Sequence, residues 1–95
     1  MIEYNIIRLP SDILHQTAQR VREQRRALKI SQVALSQKSG VSLGSIRRFE
    51  STGQISFESL LIIAHVLNRL DDFEQLFKRD GSGKIEQLFS ERTRS

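Results

Sequence analysis

Cysteine and tryptophan are both absent from the 95 residues. Without thiols the chain forms neither a disulfide framework nor a thiolate metal site, so a small core has to stand on packing or on a partner subunit. Proline occurs once, at Pro10, glycine five times, and aromatic residues make up 6% of the chain. With so few breakers in its middle and only short β-branched runs, the sequence reads as mostly helical. Long apolar runs are missing as well: the longest, Leu60 to Ala64, falls far short of the roughly 20 residues a membrane span requires. The opening MIEYNIIRLP lacks a basic stretch followed by a long apolar one, so neither secretion nor membrane insertion is expected, and a cytoplasmic location is.

Acidic charge is in the minority. Fifteen Lys and Arg against eleven Asp and Glu leave a net charge of +4, a balance that favours polyanionic partners without proving one. A chain of this length holds one small domain and leaves no room for a second, catalytic one. Residues 1–10 read as an arm or a short strand, with Ile2, Tyr4 and Ile6 alternating ahead of Pro10. Ser11 and Asp12 behind Pro10 signal a helix start, and Leu14, Ala18, Val21 and Leu28 recur at helical spacing through a stripe that also contains Arg25. Ser31, Ser42 and Ser56 each precede an apolar-periodic segment and are candidate N-caps, with Gly40, Gly53 and the Asn68 region as stops. Helices are expected at about 32–39, 43–51, 57–68 and 71–78. The main domain then spans 11–78, and 79–95 forms a joint at Gly81-Ser82-Gly83 followed by a short amphipathic helix carrying Ile85, Leu88 and Phe89.

Residues 32–51 carry the most specific pattern. Two short helices that cross tightly need a small residue at the crossing and a joint tolerating positive φ, and Ser36 and Gly40 supply these. Val41 and Ile46 fill the space between the helices. In the second helix Ile46 and Phe49 point inward, while Leu43, Gly44, Arg47, Arg48 and Ser51 point away and form a surface suited to a DNA major groove.

On these residues the segment from about 20 to 68 resembles the five-helix, lambda-repressor-like DNA-binding domain of the XRE family. The Ser36, Gly40, Ile46 spacing matches the family's helix-turn-helix signature, and Ile30-Ser31-Gln32 is similar to its Leu-(Thr/Asn)-Gln entry. The resemblance implies an all-α fold and a double-stranded DNA operator as partner. It places Ser42, Leu43, Gly44, Arg47 and Arg48 at base-reading or flanking positions and Gln32 on a phosphate. Arg26, Lys38, Ser45 and Ser51 are further candidates for phosphate contact. The sequence departs from the family in having Ser at 36 and in replacing two polar readers with Leu43 and Gly44. Leu43 suits a thymine methyl, and Arg47 or Arg48 a guanine edge.

Arg25 falls on an otherwise apolar helix face, where an unpaired guanidinium costs several kcal/mol. Glu50, beside Phe49, is the best placed carboxylate, and the resemblance implies a bridge between the two; the alternative is that Arg25 snorkels to water. Arg20, Arg22, Arg26 and Lys29 are either a solvated face or phosphate contacts. Phe57 to Leu67 is apolar nearly all round, so a second buried face is required, met by Leu70, Phe73 and Phe77, by the tail helix or by a homodimer partner.

No cofactor, metal or catalytic site is expected. His15 and His65 lie far apart, and in Asp80-Gly81-Ser82-Gly83-Lys84-Ile85 the register of a calcium loop puts Lys78 and Gln87 where carboxylates belong. The first reading is a non-enzymatic DNA-binding regulator that dimerises. Val41–Glu50, Thr52–Ser56 and Leu70–Phe73 are also similar to helix-turn-helix components encoded beside HipA-type kinases, which implies an antitoxin that represses its own operon and binds the kinase. The second reading is a protein-interaction adaptor that keeps the fold and uses the Leu60 to Phe77 surface without reading DNA.

Overall fold

The computed structural model describes residues 8–79. Residues 1–7 of the arm or strand expected over 1–10, the Gly81-Ser82-Gly83 joint and the Ile85-Leu88-Phe89 helix lie outside those residues, and Pro10 already belongs to a helix. Five helices follow in order: α1 (Pro10–Ala27), α2 (Gln32–Ser39), α3 (Leu43–Thr52), α4 (Phe57–Val66) and α5 (Asp71–Glu74), with no strand among the described residues. The fold is all-α.

Three of the four longer helices start on a serine. The hydroxyls of Ser31, Ser42 and Ser56 accept hydrogen bonds from the N–H groups of Ala34, Ser45 and Ser59, satisfying donors that the first turn leaves open. The N-cap of α1 is Leu9, two residues ahead of Ser11, the cap that the Ser11–Asp12 signal indicates. Pro10 takes the first helical position, where its missing N–H costs nothing, and the Leu9 N–H donates to Asp12 Oδ2 at 3.0 Å. α2 and α3 end on Gly40 and Gly53 at φ 80° and 85°. α1 and α4 end in the same six-residue turn with Lys29 and Asn68 at positive φ, closed by Ile30 N–H to the Arg25 carbonyl (3.1 Å) and Arg69 N–H to the Ala64 carbonyl (2.8 Å).

The core is built on Leu35, Val41, Ile46, Ile63 and Leu67, with Val21, Ile30, Ile55 and Val66 packed around it. α1 packs on α3, and α2 on both α3 and α4. The α1 stripe is buried only in its middle: Ala18 and Arg25 are inside, whereas Leu14 and Leu28 are about half exposed. Leu14 has a different task, its backbone passing so close to Gly53 that a Cβ there would stand 2.7 Å from the Leu14 carbonyl carbon.

Two further boundaries differ from expectation, at the ends of α4 and α5. α4 stops at Val66, because Asn68 turns the chain. α5 is a single turn, not the expected 71–78: Leu76 and Lys78 make only three-residue turns back to Phe73 and Gln75, and Phe77 sits at φ 58°. Only Phe73 of this segment is partly buried, so packing does little to hold a longer helix together. Phe73 stacks edge-on against Phe57 with ring centres 6.0 Å apart. Phe77 was expected to help cover α4 and is instead wholly exposed.

Candidate nucleic-acid interface

The α2–turn–α3 unit is fastened at its joint. Ser36 Oγ donates to the Val41 carbonyl at 2.7 Å and Ser39 Oγ accepts from the Val41 N–H at 3.0 Å, so both backbone groups of the turn residue are satisfied by side chains of α2. The departure at position 36 thus contributes a hydrogen bond that a small apolar residue lacks. Gly40 turns the chain at φ 80° with nothing within 4 Å of a would-be Cβ, so it is needed for conformation alone.

Behind this unit lies a buried ion pair. Arg25 is 6% exposed; its Nε donates to Glu50 Oε2 at 2.7 Å, its Nη2 to Glu50 Oε1 at 3.0 Å and its Nη1 to the Ile30 carbonyl at 2.8 Å. Gln32 Nε2 adds a bond to Glu50 Oε1 at 2.9 Å. One carboxylate therefore joins α1, α2 and α3, and the turn after α1 presents the Ile30 carbonyl to the same guanidinium. Burial works to raise the Glu50 carboxyl, but the hydrogen bonds from Arg25 and Gln32 and the charges of Arg25 and Arg22 outweigh it, and the group sits below its ordinary value of 4.5.

With Ile46 and Phe49 buried, α3 turns Gly44, Ser45, Arg47, Arg48 and Ser51 to solvent. Leu43, expected to point away, is half-buried at the first helical position. Ser42 is exposed, but its hydroxyl is occupied at home: it caps Ser45 N–H at 3.1 Å and donates to Ser45 Oγ at 2.8 Å. Ser51 Oγ donates to the Arg48 carbonyl at 3.2 Å. Arg26 and Lys38 are exposed in the last turns of α1 and α2, and Arg20, Arg22 and Lys29 are exposed on α1 and its end. The Gln32 side chain is held by Glu50.

One residue that the spacing argument does not reach is Gln54, in the loop after α3. Its Oε1 accepts from Arg48 Nη2 at 2.6 Å. Together with Ser45, Arg48, Ile55, Ser56 and Ser59 it lines a cleft of about 310 Å³ between α3 and the start of α4. A sequence signal for it would have been a polar side chain just past the C-terminal glycine of the outward-facing helix.

A groove of about 430 Å³ runs between α1 and the α4–α5 segment, with Val21, Ala64, Leu67, Phe73 and Leu76 among its apolar walls. Phe57, Ile62, Leu70, Leu76 and Phe77 are exposed on α4 and beyond. Among the described residues no group of three or more His, Asp or Glu stands together to hold a metal ion, and no helix is long and apolar enough to cross a membrane.

A helix-turn-helix family model matches residues 21–73, from within α1 to within α5 and more than half of the chain. The chain belongs to the helix-turn-helix family. It is a DNA-binding domain of XRE type, and the match takes in the serine-fastened turn, the ion pair and the outward face of α3. No curated protein and no solved structure matches it.

Proposed function

We propose that this helix-turn-helix protein is a sequence-specific transcription regulator, a repressor, that sets α3 into the major groove of a double-stranded DNA operator. The observation that carries the reading is the two-sided character of α3: Ile46 and Phe49 anchor one side in the core, and Gly44, Ser45, Arg47 and Arg48 face water on the other. Arg47 and Arg48 are the base readers, suited to guanine edges. Leu43 contributes apolar contact to a thymine methyl, Gly44 lets the helix come close, and Ser42 flanks them. Arg26, Lys38, Ser45 and Ser51 are assigned to phosphates. Gln32, whose side chain is held on Glu50, approaches a phosphate through the N–H groups at the start of α2.

A homodimer follows from the same reading, since two copies on half-sites about 34 Å apart double the contacts. The exposed Ile62, Leu70 and Phe77 beyond the DNA-facing helix are the surface assigned to it. The narrower role is that of a HipB-like antitoxin which represses its own operon and engages a HipA-type kinase. The exposed apolar residues of α4 and of the chain on either side of α5, Phe57, Ile62, Leu70, Leu76 and Phe77, favour one further reading, an adaptor that uses the Leu60 to Phe77 surface without touching DNA.

Selection from random-sequence duplexes followed by footprinting tests the proposal. Recovery of one pseudo-palindromic site, protected in its major groove, is the expected result. Recovery of no preferred sequence removes base reading and leaves the adaptor.

A further inference from the structure

We infer that Gln54 is a positioning residue that orients Arg48 for base reading, an inference that rests on the DNA-reading proposal above. A closed ring of three hydrogen bonds carries it. Thr52 Oγ1 donates to the Arg48 carbonyl at 2.7 Å, the Gln54 N–H donates to Thr52 Oγ1 at 3.1 Å, and Arg48 Nη2 donates to Gln54 Oε1 at 2.6 Å. The ring ties the backbone of Arg48 to the backbone of Gln54 through one hydroxyl, and then ties the two side chains to each other. Gly53, between Thr52 and Gln54, is fixed at φ 85° against the Leu14 backbone, so the loop that carries Gln54 is itself anchored on α1.

The chemistry suits a reader that must not be consumed by its support. A guanidinium has five N–H donors, and the bond to Gln54 uses one, leaving a fork for two acceptors on a guanine edge. An exposed arginine loses much rotamer freedom when it settles on a base, and a brace already present in the free protein removes part of that loss. Arg47, the neighbouring reader, has no side-chain hydrogen bond or ion pair among the described residues, so the two arginines enter the groove differently prepared. The brace makes Arg48 the more discriminating of the two.

The experiment uses the full chain, the duplex recovered by selection, and its single-base variants at each position of one half-site. Arg48→Ala identifies the position that Arg48 reads. Gln54→Ala is expected to relax preference at that same position by about 2- to 10-fold, the equivalent of one immobilised side chain, with the helical melt unchanged. Gln54→Glu keeps an acceptor of the same length and restores the preference; its added charge weakens all duplexes alike and cancels in the ratio. Unchanged or sharpened preference in Gln54→Ala overturns the inference, as does an Arg48→Ala variant that relaxes no position. A wild-type chain with no preferred duplex overturns the DNA-reading proposal itself.

Discussion

Glu50 is held in its charged form by neighbours that outweigh its burial, and this gives the fold a defined acid sensitivity. Its folded carboxyl lies below the value near 4.5 of an unfolded one, so between the two the unfolded chain binds more protons and stability rises with pH. The contribution is complete above the unfolded value and is lost as pH falls through the folded one. Urea melts from about pH 6 down to about pH 3 should therefore show a decline that Glu50→Gln lacks, starting from a lower plateau. Glu50→Ala strands the buried Arg25 guanidinium and should cost about 3–5 kcal/mol at neutral pH. A second residue-level prediction separates two glycines with nearly equal φ. Gly40→Ala meets open space and should cost about 1–2 kcal/mol, from backbone conformation alone. Gly53→Ala drives a methyl group into the Leu14 backbone as well and should cost roughly 2–4 kcal/mol in the same melts.

Helices α2 and α3 were legible in the sequence almost to the residue, because each is bracketed by a serine that caps and a glycine that turns. α5 was not, because its periodic Phe73 and Phe77 promised a buried face that only Phe73 takes up. Spacing likewise put Arg25 on an apolar face and Glu50 within reach. The second partner of the carboxylate, Gln32, and the Gln54 brace depend on how the turns bring elements together, which periodicity does not encode. Gly44 provides the test at this scale. It sits in the first turn of α3 with nothing within 4 Å of a would-be Cβ, and helix propensity alone would prefer alanine there by up to about 1 kcal/mol. Gly44→Ala should raise thermal stability slightly and weaken operator binding, because the added methyl faces the groove; a gain in both measurements would place α3 away from the bases.

At the level of the molecule, Arg47 and Arg48 are exposed on α3 while Ile62 on α4 and Phe77 after α5 are exposed apolar residues, and the proposal assigns the two sets to different partners. If Ile62 and Phe77 meet a second copy, sedimentation at rising concentration should show a monomer–dimer equilibrium, and an Ile62→Ser/Phe77→Ser variant should stay monomeric with an unchanged helical spectrum. That variant should still bind a single half-site, with the loss confined to the cooperative gain on the full operator. The central claim, that α3 reads DNA through its outward arginines, is tested most directly by one titration. Wild type and an Arg47→Ala/Arg48→Ala variant are bound to the selected duplex and to a scrambled one across a range of salt concentrations. A steep salt dependence is expected, about 0.9 in log–log slope for each phosphate neutralised, with a loss of about 1–3 kcal/mol of discrimination for each arginine that contacts a base. Salt-indifferent binding, or a double variant that tells the two duplexes apart as well as wild type does, would contradict that claim.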